Sequence, residues 1–154
     1  MELKLDKKTA KKLYPEAPAW FQKVLIETFG EKSFITDWRN IESYEDAVEM
    51  RPVDEDDIIY STDRPHIVAF KQLCHITKLV NGDWIADFND SDQPKYEQVF
   101  LSSGSGFDFS GSVTYYVSRF SYVGSRLCCK TKEGSDFIGK TFISQFKLLI
   151  TNKN

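Results

Sequence analysis

Residues 96–122, YEQVFLSSGSGFDFSGSVTYYVSRFSY, carry the change of period that decides the fold. Tyr96 to Ser102 reads as a strand, and Ser102 to Gly106 as a glycine-serine loop. Phe107-Asp108-Phe109 then alternates, and Val113 to Tyr122 alternates more strongly. Val113, Tyr115 and Val117 fall on one face, and Tyr116, Ser118, Phe120 and Tyr122 on the other, which is the period of two of a pleated strand. Gly124-Ser125 turns the chain, and Arg126 to Lys130 reads as one more short strand. Strands this close together predict an antiparallel meander of about 3–5 strands.

Outside that stretch the period is helical. Asp6 caps a short charged helix to Leu13, and Pro15 and Pro18 interrupt it. A stronger helix spans about 18–29, with Trp20, Phe21, Val24, Leu25 and Phe29 on one face and Gly30 as its stop. Ser43 opens a second helix, with Glu45 and Asp46 favoured by the dipole of its first turn; Ala47, Val48 and Met50 should face inward. A third helix covers about 65–81, with Thr62 or Asp63 as its cap. Its buried stripe should be Ala69, Leu73, Ile76 and Val80. A closing helix begins near Ser135 or Asp136, and Ile138, Phe142, Phe146 and Leu149 form the stripe that docks on the sheet. The expectation is α+β: N-terminal helices, a small antiparallel meander and a C-terminal helix packed on it. It covers 1–154 as a single domain, with 1–14 as a flexible basic segment.

The chain has 154 residues, 14% aromatic and 28% charged, the profile of a folded protein large enough to bury a core without a staple. Its first residues are lysine-rich and have no apolar run of signal-peptide or membrane-span length. Three cysteines, two of them adjacent (Cys128 and Cys129), make a poor disulfide framework. Together these point to free thiols in a reducing cytoplasm. The net charge of −3 is unevenly spread: both ends are basic and the middle is acidic. A basic C-terminal part suits an anionic partner, although a surface fluctuation explains it as simply.

Gly134-Ser135-Asp136-Phe137-Ile138-Gly139-Lys140-Thr141 matches the phosphate-binding pattern G-x-x-x-x-G-K-[ST]. In that reading Gly134 and Gly139 shape the loop, Lys140 reaches the phosphates and Thr141 holds magnesium. The match is disfavoured. Only thirteen residues follow Thr141, too few for the other parallel strands and the metal-holding Asp, and Ile138 belongs to an apolar helical stripe. Asp87, Asn89 and Ser91 sit at calcium-loop positions, but Asp92 stands where glycine is needed and Gln98 where a bidentate Glu is needed. A loose cation site from Asp83, Asp87, Asp90 and Asp92 competes with a plain exposed acidic loop. Cys74-His75 and Cys128-Cys129 lack zinc spacing. Adjacent residues on a helix point about 100° apart, which argues against Cys74 and His75 as nucleophile and base. His66 and His75 read as surface or satisfied core. No catalytic constellation, metal site or cofactor is expected.

The strongest binding candidate is an aromatic and basic sheet face, with Tyr116, Arg119, Phe120, Tyr122, Arg126 and Lys130 placed to stack and neutralise single-stranded nucleic acid. Aromatic strand residues are more often core.

Asn89 to Tyr96, Ser121 to Cys128 and the Gly139-Lys140-Thr141-Phe142 step together resemble a family of small uncharacterised proteins encoded by phages and prophages of gut anaerobic bacteria. Lys11 to Tyr14, Ala17 to Phe21 and Trp38 through Ala47 resemble the same family, so the likeness covers most of the chain. It implies an origin on a mobile element and brings no activity or site residues with it. The expected function is a non-catalytic binding or interaction protein with a protein partner. The alternative is a single-stranded nucleic-acid accessory protein, and a remote one a nucleotide-binding enzyme through Gly134–Thr141.

Overall fold

In a computed structural model of the chain, residues 5–104, 106–115 and 124–151 are described. The N-terminal third is helical. Asp6 accepts from the Thr9 N–H and opens α1 (Lys7–Leu13). Lys7 and Lys11, from the basic N-terminal segment, both pair with Glu49. Pro18 precedes α2 (Ala19–Phe29), which Gly30 ends at φ 83°, a value glycine adopts without strain. Ser43 and Asp46 close a capping box on α3 (Tyr44–Met50).

The third helix, α4 (Pro65–Asn81), has the expected bounds but not the expected cap. Arg64 occupies the cap position and makes no side-chain bond there. The Asp63 carboxylate is already engaged, by the Tyr60 N–H at 2.9 Å and by Lys71 at 2.7 Å.

The sheet is a hairpin. β1 (Lys95–Ser103) pairs antiparallel with β2 (Gly106–Tyr115), from Lys95 opposite Tyr115 to Ser103 opposite Gly106. Val99 faces Gly111 and Phe100 faces Phe109, so Ser110 is the extra residue of a bulge. Among the described residues the sheet therefore has two strands, fewer than the meander predicted. The separate Phe107 and Val113 segments fuse into β2. Arg126 to Lys130 is not a strand: Ser125–Leu127 forms a 3-10 turn, and a single bridge joins Cys129 to Tyr96. Residues 116–122, the rest of the alternating stretch, lie outside the described residues.

The closing helix starts earlier and breaks. Thr131 caps α5 (Lys132–Thr141) by accepting from the Gly134 N–H. Phe142 leaves helical geometry at φ −110°, ψ 32°, and α6 (Ile143–Ile150) follows. The break lets one apolar stripe serve two neighbours: α5 covers the hairpin, and α6 lies chiefly along α4. Ile138, Phe142 and Phe146 are all buried in a core shared with Leu73, Ile76 and Leu127.

Three apolar side chains of the expected helix faces are exposed. Trp20 is 71% exposed and Val24 is also exposed, while Leu25 turns in, because α2 is covered mainly by the 3-10 turn Glu31–Phe34. Val48 is exposed on α3, where Ala47 is the residue that packs inward.

Candidate functional site

Of the six residues proposed for nucleic acid, Tyr116, Arg119, Phe120 and Tyr122 lie outside the described residues. Arg126 and Lys130 are exposed at either side of the Cys128-Cys129 pair. The described rings of the hairpin point elsewhere. Phe100 stacks on Phe107 at 5.1 Å and meets Phe146 of α6 at 4.5 Å, so these rings belong to the core.

Gly134, Gly139, Lys140 and Thr141 all lie inside α5, where the backbone is helical and forms no loop around a phosphate. Packing explains the two glycines. A Cβ on Gly139 would stand 2.3 Å from the Phe109 ring of β2, and one on Gly134 would stand 2.7 Å from Val80 of α4. Each glycine sits where a neighbouring element touches the helix backbone. Lys140 is exposed, 6.0 Å from the Phe109 ring centroid.

The acidic loop is organised by a cation of the chain's own. Lys95 is fully buried, and its Nζ donates to the carbonyls of Asp90 at 2.9 Å and Gln93 at 2.8 Å, 5.6 Å from the Phe88 ring centroid. Asp87 and Asp90 accept from the N–H groups of Asn89 and Asp92, as Asx turns. Among the described residues no group of three acidic, Cys or His side chains gathers for a metal. The sequence offered no signal for Lys95, because a lysine at a strand start reads as surface.

Two of the cysteines are unreactive by environment. Cys74, Cys128 and Cys129 are all buried, and burial pushes the Cys74 and Cys129 thiols up to about 12. His75 is a core residue, one of the two expected settings, but not a satisfied one: it is fully buried and neither ring nitrogen has a hydrogen-bond partner. Its ring packs edge-on against Tyr44 at 5.7 Å. The Ala47 backbone lies toward the ring but outside hydrogen-bond geometry. Burial dominates and holds the imidazole below its ordinary value of 6.5, against the pull of Asp57 and Asp54.

The fold therefore keeps His75 neutral while the unfolded chain takes up a proton as pH falls through about 6.5. Stability from this group is complete above that pH and declines below it until the folded form also protonates. Urea midpoints at pH 7.5, 6.5 and 5.5 should fall for the native chain and stay flatter for His75→Phe, which keeps the ring contact. Parallel loss in both proteins would assign the effect to another group.

Described residues line two cavities of note. One, of about 440 Å³, lies between α2 and the turns that follow it, beside the stacked pair Tyr14 and Phe34. Its Lys32 is paired with Asp46 at 3.2 Å and Glu42 at 3.5 Å. The other, of about 350 Å³, lies between the C-terminal half of α4, the segment Trp84-Ile85-Ala86 and the turn holding Ser125 and Arg126. Sequence reading singled out Arg126 there but not its companions, because Thr77, Trp84 and Arg126 meet only through the packing of Leu127 and Cys128 under α4.

No family model matches the sequence, and no curated protein or solved structure matches it. No helix among the described residues is long and apolar enough to cross a membrane.

Proposed function

We propose that the chain is a non-catalytic interaction protein whose contact surface is the outer face of α2. One observation carries the reading: Trp20 is 71% exposed, with Val24 exposed one turn further on. Trp20 and Val24 are four residues apart, so they share a face of the helix. Exposed tryptophan beside aliphatic surface is the composition of an interface anchor, and aromatic residues dominate binding energy at such sites. The fold leaves α2 thinly covered, which suits a helix that completes its packing on a partner. Origin on a phage or prophage belongs to the same proposal and rests on the sequence resemblance alone.

A photo-reactive phenylalanine analogue placed at Val24 tests it in cells that make the protein. The expected result is one discrete adduct, lost when Trp20→Glu is added, with no adduct from the same probe at exposed Thr36. An adduct of twice the chain's mass would identify a second copy as the partner. A diffuse smear, or an adduct indifferent to Trp20→Glu, would sink the assignment.

A second reading, single-stranded nucleic-acid binding, is favoured by one observation. Arg126 and Lys130 are both exposed with no ion-pair partner among the described residues. The packing of Phe100 and Phe107 against the core removes those rings from the stacking platform it needs.

A further inference from the structure

We propose that the cavity between α4, Trp84-Ile85-Ala86 and the turn at Ser125-Arg126 is a binding site for a small monoanion with a flat apolar body, of the aromatic-carboxylate class. It stands apart from the α2 face and does not depend on it. Its volume of about 350 Å³ is at the lower end for small-molecule sites. One wall is apolar: Ala86 is buried, Trp84 is half-buried, and Ile85 is 79% exposed, as a residue is when its natural contact is absent from the fold. The indole of Trp84 provides a surface for a flat ring.

The polar groups divide into committed and uncommitted. Lys78 lines the cavity but is held by Asp57 at 2.6 Å and Asp54 at 3.0 Å. The Asn81 side chain donates to the Cys128 carbonyl at 2.8 Å and accepts from the Lys130 N–H at 2.9 Å, so both its ends are used. Arg126 remains as a cation with no ion pair among the described residues, and its planar fork suits a carboxylate. Thr77 also borders the cavity, but its hydroxyl is buried out of reach and has no hydrogen-bond partner, so Arg126 is the polar group offered to a ligand. Asp56 on the same lining opposes a second negative charge, which selects a monoanion over a phosphate dianion.

The experiment is an amide and indole N–H NMR titration of the full chain with indole-3-acetate, beside its neutral analogue indole-3-acetamide. Saturable shifts at Trp84, Ile85 and Arg126 are expected, with the amide about tenfold weaker. Arg126→Gln should weaken indole-3-acetate about tenfold. Thr77→Val should leave the affinity unchanged, because that hydroxyl does not face the cavity space, and serves as the control. Several results would overturn the proposal: no saturation up to about 10 mM, shifts confined to the cavity beside Tyr14 and Phe34, or equal affinity for the neutral analogue. Labelled oligothymidylate runs as a parallel arm. Binding that Lys130→Ala and Arg126→Gln weaken alike, and that indole-3-acetate does not displace, would assign Arg126 to a nucleic-acid surface instead.

Discussion

Phe146→Ala should lower the free energy of unfolding by about 3–5 kcal/mol, the range for removing a buried phenylalanine from a packed core. Phe146 is 1% exposed, and its ring stands 4.5 Å from Phe100. It sits on α6, the helix that lies along α4 and also reaches β2. Deleting the ring opens a cavity where helix layer and hairpin meet, and neither element can move in without giving up contacts elsewhere. Urea unfolding should show a lower midpoint at an unchanged slope, since the surface exposed on unfolding is nearly the same. For a chain of this length the melting temperature should drop by roughly 10 °C. A loss under about 1.5 kcal/mol would mean that α6 docks more loosely than the buried ring implies. Leu148→Ala, on the exposed side of the same helix, should cost well under about 1 kcal/mol and serves as the control.

Gly139→Leu should be nearly as damaging, about 3 kcal/mol or failure to fold, and the informative companion is Gly139→Ala. In an exposed helix the change from glycine to alanine stabilises by about 1 kcal/mol. Here the new Cβ would stand 2.3 Å from the Phe109 ring, which is itself pressed against Phe100 at 5.7 Å between centroids. Overpacking of this kind costs about 1–3 kcal/mol, enough to reverse the sign of the helix-propensity gain. A more stable Gly139→Ala protein would show that α5 stands further from β2 than described. The double variant with Phe109→Ala separates the terms: once the ring is gone, the penalty at 139 should vanish and the propensity gain return. Gly134→Ala should be milder, because the nearest atom, at 2.7 Å, is the end of the Val80 side chain and can give.

These glycines show how a motif can be right in letters and carry a different meaning. G-x-x-x-x-G-K-T places glycines five apart, and on a helix that spacing carries them to two sides, one toward α4 and one toward β2. The letters alone do not distinguish that use from a phosphate loop; the distinction came from the apolar stripe that runs on from Ile138 through Phe142 and Phe146. The acidic loop is a parallel case. Its Asp spacing suggested a cation, and the cation that holds it is the Lys95 ammonium, seated on the Asp90 and Gln93 carbonyls.

The starts of α1, α3 and α4 and the course of β1 were legible because their causes are local. Asp6 and Ser43 cap through atoms three residues away, Pro65 enters α4 at its first turn, and the alternation from Tyr96 onward needs only its own backbone. The α+β class follows from the same local signals. Exposure of Trp20 and Ile85, burial of His75 and Lys95, the break at Phe142 and the meeting of Thr77, Trp84 and Arg126 were decided by tertiary structure. Each depends on which distant element covers a given face. Side-chain period states only that a face is apolar, whereas the free energy of burying it is settled by the neighbour that arrives: the Glu31–Phe34 turn over α2, α6 along α4, and the loop that folds its carbonyls around Lys95.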